Sequence, residues 1–351
     1  MKSAMREIAG CGTPKAPHVT QRRKPLSREE YVAGILRGDR RVLARAVTLI
    51  ESAREADREL AEQIVEDCLP HGGDSIRLGI TGVPGAGKSS LIEALGAHLI
   101  EEKKQKVAVL AIDPSSQLSG GSILGDKTRM TRLAASEMAF VRPSPSRGIA
   151  GGVAQRTREA MLLCEAAGYR NILVETIGVG QSETAAHEMV DFFLLITLAG
   201  AGDELQGIKR GVMELADLVV INKADGTNVA AAERARAEAQ NALHYFPAAK
   251  SGWTPRAVTC SALTGAGIRE SWERVLEYVA QTRANGWFAK ARREQQRQWM
   301  HEMIDQALRQ RFDAHAAVRS RVQALERDVA EGRTTSFRAA RTLLDAYTRG
   351  E

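Results

Sequence analysis

The sequence predicts an α/β fold built on a mostly parallel, doubly wound sheet, with helical extensions before and after it. Three observations carry this. Seven runs rich in apolar residues, at 75–81, 106–112, 138–142, 171–177, 191–198, 217–222 and 256–260, alternate with stretches of helical periodicity. Continuous apolar strands of this kind indicate a parallel sheet covered on both faces. A glycine-rich segment, Gly82-Val83-Pro84-Gly85-Ala86-Gly87-Lys88-Ser89, joins the first strand to the first helix that follows it. From Arg283 onward strand formers become rare and Arg, Glu and Gln abundant.

At 351 residues and 38.1 kDa the chain is longer than a single α/β domain of roughly 170 to 220 residues requires. It divides into a basic tail (1–26), an N-terminal helical extension (27–70), a central sheet domain (71–282) and a C-terminal helical arm (283–351). The tail holds six Lys and Arg against one acid and is expected to be disordered. In the extension, Tyr31, Ile35, Val42, Ala46 and Ile50, then Leu60, Ile64 and Val65, fall near helical spacing, so this part packs one face on the central domain.

Ser75 to Thr81 reads as a buried strand, and Lys88 to Ile100 as a helix. Between them GxxxxGK[ST] is a phosphate cradle: glycines let the backbone approach a polyphosphate, successive N–H groups converge on it, and the helix N-terminus adds positive potential. Gly82, Gly85, Ala86 and Gly87 form the cradle, and Lys88 is expected on the β and γ phosphates. Ser89 would place its hydroxyl on Mg²⁺, and Ser90 is a further phosphate donor.

The strand at 106–112 runs into Asp113, and the strand at 171–177 carries Glu175 in Glu175-Thr176-Ile177-Gly178. Both carboxylates project from strand C-termini toward the nucleotide edge, where a hard divalent cation prefers oxygen ligands. Direct and water-mediated roles stay open. Glu175-x-x-Gly178 occupies the slot where many phosphate-loop proteins have Asp-x-x-Gly, so the Gly178 amide is positioned to sense the γ-phosphate.

Asp217 to Ile221 is an apolar strand ending in Asn222-Lys223-Ala224-Asp225. The Asp225 carboxylate can accept from both N1–H and the exocyclic amine of guanine. Adenine lacks this donor pair, so Asp225 would be left unpaired against ATP, at about 1 to 3 kcal/mol or more. Asn222 would tie this loop to the phosphate loop, and the Lys223 stem would lie over the base. Ser261-Ala262-Leu263, after the strand at 256–260, resembles a second guanine-touching loop. Together the motifs read as a P-loop GTPase using GTP/GDP and Mg²⁺.

In the C-terminal arm Trp299, Met303 and Ala307, with Met300, Ile304 and Leu308, give one apolar face. Val318, Val322, Leu325 and Val329 give another, and a final helix carries Phe337, Leu344 and Tyr347. Narrow seams suit dimerisation; folding back on the central domain is the alternative.

The net charge of +6 does not mark a nucleic-acid binder, because the two ends carry about +5 each and the middle about −4. Cys11, Cys68, Cys164 and Cys260 form no CxxC and fit reduced thiols; seven scattered histidines offer no metal-ligand set. No apolar run approaches the length of a membrane span, and residues 1–26 lack the core of a secretion signal. These features fit a cytoplasmic bacterial protein with a basic N-terminal extension, or a mitochondrial matrix protein if the source is a eukaryote.

Four longer segments go beyond generic GTPase logic: Ala111-Ile112-Asp113-Pro114-Ser115-Ser116; Gly120 to Met130, with Asp126 at its centre; Glu175 to Glu183; and Ala199 to Gly211. Their order and content resemble the MeaB/ArgK-type GTPases, from about residue 30 to about 348. The resemblance implies a G-protein chaperone that gates adenosylcobalamin loading, protection and reactivation of an acyl-CoA mutase, most often methylmalonyl-CoA mutase. The cobalamin itself would sit on the mutase.

It further implies Ser89, Asp113, Asp126 and Glu175 around Mg²⁺, and three switches at 120–129, 178–183 and 200–211. Gln206 and Lys209 are the coupling candidates in the third, with Lys209 able to swing toward the phosphates. A homodimer follows from the same resemblance, and an adenosyltransferase is a further candidate partner. Ser146 to Gly152 departs from the Ser-Gly-Thr-Leu-Gly-Gly-like run of many members. No glutamine directly follows Gly178, where small GTPases carry a water-orienting one, and Gln181 is the nearest candidate. Slow intrinsic turnover that rises with the mutase is therefore expected. Two competing readings are a metallochaperone GTPase, against which the absence of Cys/His clusters counts, and a P-loop kinase of a small amine or transport protein.

Overall fold

The computed structural model describes residues 26–52, 54–112, 130–142, 150–176, 181–200 and 210–349. The basic tail up to residue 25 falls outside them. Seven strands form one sheet: β1 (Ile76–Gly82), β2 (Val107–Ile112), β3 (Ala139–Arg142), β4 (Asn171–Thr176), β5 (Phe192–Leu198), β6 (Leu218–Asn222) and β7 (Arg256–Thr259). Their order is β3-β2-β4-β1-β5-β6-β7, and every pairing is parallel. The seven expected strands are all present, with ends within one residue of those read from the sequence. The all-parallel sheet refines the expected mostly parallel one.

Alternate strand residues feed opposite faces, as a period of two requires. Leu78, Ile80, Val107, Val109, Leu173, Leu194, Ile196, Leu218 and Val220 point to one face. There α4 (Lys88–Glu101), α5 (Thr131–Ala135) and α10 (Ile268–Ala284) cover them with Leu91, Leu95, Leu99, Leu133, Trp272 and Val275. On the other face Ala108, Leu110, Ile172, Val174 and Phe193 meet α6 (Ala150–Ala166), and Leu195, Val219 and Ile221 meet α8 (Arg210–Glu214) and α9 (Val229–Leu243). Each fully buried aliphatic or aromatic side chain contributes roughly 1.5–3 kcal/mol, so the sheet holds both helical layers firmly.

The N-terminal extension is three helices: α1 (Arg28–Leu36), α2 (Arg40–Ile50) and α3 (Glu55–Cys68). Ser27 and Glu30 close a capping box at the start of α1, and Asp39 caps α2 through the N–H groups of Arg41 and Val42. Tyr31, Ile35, Leu43, Ala46, Ile50, Ile64 and Cys68 are buried together with α6, so the extension shares the core beneath one sheet face.

The arm begins with α11 (Trp287–Ala314), and its two halves differ. The first half folds back on the sheet at the strand N-termini. Arg292 donates to Asp191 Oδ1 and Oδ2, both at 2.7 Å, to the carbonyl of Gly73 at 2.7 Å and to that of Ser75 at 2.8 Å. Asp191 also accepts the Arg77 backbone N–H at 2.8 Å, and Arg77 Nε pairs with Glu165 at 2.8 Å. Burial pushes Glu165 up, but Arg77 beside it and hydrogen bonds from Arg77 and Ser75 hold its carboxyl below the ordinary range. Trp299 is buried, with the Arg158 guanidinium 4.8 Å from its ring centroid.

In the second half Met300, Met303, Ile304 and Leu308 are exposed. The apolar face read as one seam is thus split: Trp299 turns inward and its neighbours outward. Beyond it lie α12 (Ala316–Arg319), α13 (Val322–Ala330) and α14 (Ser336–Arg349). The run from Val318 to Val329 is two helices, because a turn at Ser320 and Arg321 interrupts it. In α14 the inward residues are Ala339 and Ala346, Tyr347 packs on Phe312 and His315, and Phe337 and Leu344 face outward. Small residues let α14 approach α12 closely, which leaves its larger side chains outside. No helix among the described residues is long and apolar enough to cross a membrane.

Candidate functional site

Parallel pairing aligns the C-terminal ends of the strands in one row. Register places Ile80 beside Glu175, Gly82 beside Ile196, Leu198 beside Asn222 and Ile221 beside Thr259. The phosphate loop, Glu175, the Asn222–Asp225 loop and the Ser261–Leu263 loop therefore emerge on the same edge of the sheet, where open α/β sheets bind ligands.

Gly82 has φ 154°, and a Cβ there would lie 2.2 Å from the Ile196 carbonyl oxygen; no other residue fits. Gly87, the N-cap of α4, sits at φ 87°, where a Cβ would meet Asn222 Nδ2 at 2.6 Å. Gly85 also has positive φ, with open space where a Cβ would point. Ala86 is buried beneath the loop and Ser90 is exposed beside it.

Lys88 Nζ donates to the carbonyls of Gly82 at 2.8 Å and Val83 at 3.2 Å, so the ammonium is held across the cradle. Burial lowers its pKa, and the carboxylates of Glu175 and Glu183 oppose that shift. Ser89 Oγ donates to Glu175 Oε1 at 2.9 Å, and behind them Thr176 Oγ1 donates to Thr81 Oγ1 at 2.8 Å. A buried carboxylate and a hydroxyl in contact at the mouth of a phosphate loop are the hard oxygen donors that Mg²⁺ takes. These two residues fit the ion.

On the base side Asn222, 1% exposed, donates from Nδ2 to the Ala86 carbonyl at 2.7 Å and accepts at Oδ1 from the Ala262 N–H at 3.2 Å. One side chain thus joins both nucleotide loops. The Ala224 N–H donates to the Cys260 carbonyl at 2.9 Å, fastening the two base-side loops a second time. Ser261 Oγ donates to Asp225 Oδ2 at 2.5 Å and accepts the Thr264 N–H at 3.1 Å, which fixes the carboxylate's rotamer. Lys223 adopts φ 59°, a costly conformation for a non-glycine residue, and is exposed together with Leu263.

Of the residues expected from the sequence, the fold brings together Gly82, Gly85, Ala86, Gly87, Lys88, Ser89, Ser90, Glu175, Asn222, Lys223, Asp225, Ser261, Ala262 and Leu263 on this edge. Gln181 opens α7 (Gln181–His187), and only its backbone is described. Asp113, Asp126, Gly178, Gln206 and Lys209 lie outside the described residues. The sequence analysis placed Glu183 at the end of the second switch without a role of its own, and the structure shows a buried acid whose charge acts on Lys88; Cys260, given no site role, donates its thiol to Asn222 Oδ1 at 3.4 Å. No local signal in the sequence marked the action of Glu183 on Lys88 or the bond of the thiol.

The sheet and its nucleotide edge define a P-loop GTPase. A sequence profile described as Methylmalonyl Co-A mutase-associated GTPase MeaB matches residues 43–317, and the chain belongs to that family. It is 48% identical over 277 residues to GTPase ArgK of Escherichia coli K12, covering 79% of this chain and 83% of that protein. It is 43% identical over 329 residues to the Mus musculus protein named Methylmalonic aciduria type A homolog, mitochondrial, covering 91% and 79%. The crystal structure of a protein named LAO/AO transport system kinase superposes with TM-score 0.73 at 37% identity, covering 91% of this chain and 96% of that one.

Proposed function

We propose that this protein is a GTP-hydrolysing chaperone that gates adenosylcobalamin loading and protection of an acyl-CoA mutase, with methylmalonyl-CoA mutase the leading partner. The observation that carries the reading is the Asn222 bridge between the phosphate loop and the base-side loop, in a chain whose family is named for that mutase. A guanine nucleotide lying across both loops would lock them together, and its release would free them.

Within the site, Lys88 exchanges its carbonyl partners for the β and γ phosphates, and the 82–89 backbone N–H groups take the remaining oxygens. Asp225 reads N1–H and the exocyclic amine of guanine, with Lys223 over the base and the Ser261–Leu263 loop along its edge. Ser89 and Glu175, with Asp113 and Asp126 from the neighbouring segment, would hold Mg²⁺, which when bound neutralises developing phosphate charge. Gly178, Gln181 and Lys209 are the residues assigned to sensing and orienting at the γ-phosphate. With no glutamine directly after Gly178, hydrolysis by the protein alone is slow, and the mutase raises it by ordering the switches.

The exposed ridge of Met300, Met303, Ile304 and Leu308 supports a homodimer joined through the arm. The domain division at 26, 70 and 282 stands as part of this reading. So does a location in the cytoplasm, or in the mitochondrial matrix if the source is a eukaryote, alongside relatives from a bacterium and from a mouse protein named mitochondrial.

The test is GTP hydrolysis by the purified protein, alone and with an adenosylcobalamin-dependent acyl-CoA mutase, with ATP as control. Stimulation confined to GTP supports the proposal. GTP-specific activity indifferent to such mutases removes the partner and the chaperone role. A preference for ATP, with phosphate passed to an acceptor, would instead favour a kinase reading, in keeping with the name that the structural neighbour carries.

A further inference from the structure

We infer that Cys260 is a positioning residue for guanine-nucleotide retention: its thiol holds the Asn222 carboxamide in the one orientation that ties the phosphate loop to the base-side loop. The inference rests on the base-reading role proposed above for Asn222 and Asp225.

Asn222 has two carboxamide atoms and three short-range partners. Nδ2 donates to the Ala86 carbonyl at 2.7 Å, while Oδ1 accepts from the Ala262 N–H at 3.2 Å and from the Cys260 thiol at 3.4 Å. Rotating the amide by 180° would set Nδ2 against the thiol proton and the Ala262 N–H, and Oδ1 against a carbonyl oxygen. The two donors on Oδ1 therefore select the rotamer, and the longer backbone bond is supported by the thiol.

Cys260 is built to supply that donor. It is 1% exposed, its N–H donates to the Ile221 carbonyl at 2.9 Å, and its carbonyl accepts the Ala224 N–H at 2.9 Å, so its backbone is fixed to the strand and loop that carry Asn222. Just beyond it the 261–266 loop closes on itself through Ser261 N–H to the Ala266 carbonyl and Gly265 N–H to the Ser261 carbonyl, both at 2.9 Å. This seals the thiol away from water. Burial pushes the thiol pKa up to about 12, so the proton stays on sulfur at neutral pH and the group remains a donor. Among the described residues Asn222 Oδ1 is the acceptor that the thiol reaches.

The consequence lies in retention of the nucleotide. With the thiol gone, Oδ1 keeps one long bond, the carboxamide samples other rotamers, and the two loops lose part of their shared anchor. The loss of one neutral hydrogen bond corresponds to about a two- to tenfold faster release of guanine nucleotide.

The experiment compares full-length wild type with Cys260→Ala, Cys260→Val and Cys260→Ser, reading dissociation of a fluorescent ribose-labelled GDP by stopped flow. Asp225→Ala serves as the control for the base-reading role. Expected is a two- to tenfold faster release for Ala and for Val, with Ser restoring most of the retention because it returns a donor. A change of volume alone would not produce that pattern, since Val fills the space and Ser leaves part of it empty. Release from the Ala and Val variants at the wild-type rate overturns the inference, as does a Ser variant no better than Ala. If Asp225→Ala also retains GDP like wild type, the base-reading role has failed; if it loses GDP while the Cys260 variants do not, only the role of the thiol has failed.

Discussion

Arg292 offers a prediction whose size follows from the structure. Its guanidinium is 13% exposed and Asp191 only 3%, with two bonds of 2.7 Å between them and two more from Arg292 to the Gly73 and Ser75 carbonyls. Replacing Arg292 by Met keeps much of the stem's packing but leaves the Asp191 carboxylate with the Arg77 backbone N–H as its remaining described partner. Stranding a buried charge in this way costs about 3–5 kcal/mol. Unfolding entropy of about 2.1 cal/mol/K per residue gives a 351-residue chain roughly 0.7 kcal/mol per degree, hence a fall of about 4–7 °C in Tm. Differential scanning calorimetry of Arg292→Met in the absence of nucleotide measures it. The double variant with Asp191→Asn should recover part of the loss, because a neutral amide still accepts the Arg77 N–H without burying a charge. A fall below about 1 °C, or a double variant no more stable than Arg292→Met, would refute the account of how the arm is fastened to the sheet.

Glu175→Gln keeps a side chain that reaches Ser89 but removes the negative charge, so GTP hydrolysis should fall at least about tenfold in a single-turnover assay with Mg²⁺. The arm dimer proposed above predicts that Ile304→Asp combined with Leu308→Asp, which places charges on the exposed ridge of α11, gives a monomer in sedimentation while the thermal unfolding of each protomer changes little. Desolvation raises the Asp217 pKa to about 7, against the opposing pull of its bond from the Phe193 N–H. The folded form therefore holds a proton that the unfolded chain releases near its ordinary carboxylate range. That stabilisation is complete below this range and is lost as pH rises through about 7. Asp217→Asn should accordingly melt higher than wild type at pH 8.5 by a few degrees and by much less at pH 5; equal differences at both pH values would contradict the assignment.

What could be read in advance depended on how locally each feature is encoded. A buried parallel strand is a short apolar run, so all seven strands are recognisable from neighbours in sequence, and the phosphate loop and the Asn222–Asp225 loop carry their chemistry within eight and four residues. Order across the sheet was not legible, since it arises from pairing of segments far apart, such as Ile112 with Thr176. The arm shows the same limit. Trp299 and Met300 are adjacent and equally apolar, but Arg77 and Arg158 bring one inward while no described element covers the other.

The sequence by itself determined the strands of the sheet, the P-loop GTPase class and the family, and it named the residues to which guanine and phosphate chemistry is assigned. Each of these is written in residue type at close spacing, where sterics and periodicity act. The tie from Asn222 to the phosphate loop was expected from the motif, but only the tertiary structure decided that the same side chain also holds the Ala262 N–H, 40 residues away, and that a cysteine thiol braces the link. It alone also fastened the arm to the nucleotide-distal edge through Arg292, 101 residues from Asp191. Hydrogen-bond partners of this kind are chosen by the geometry of the packed chain, because a buried donor must take whichever acceptor the fold sets within about 3 Å.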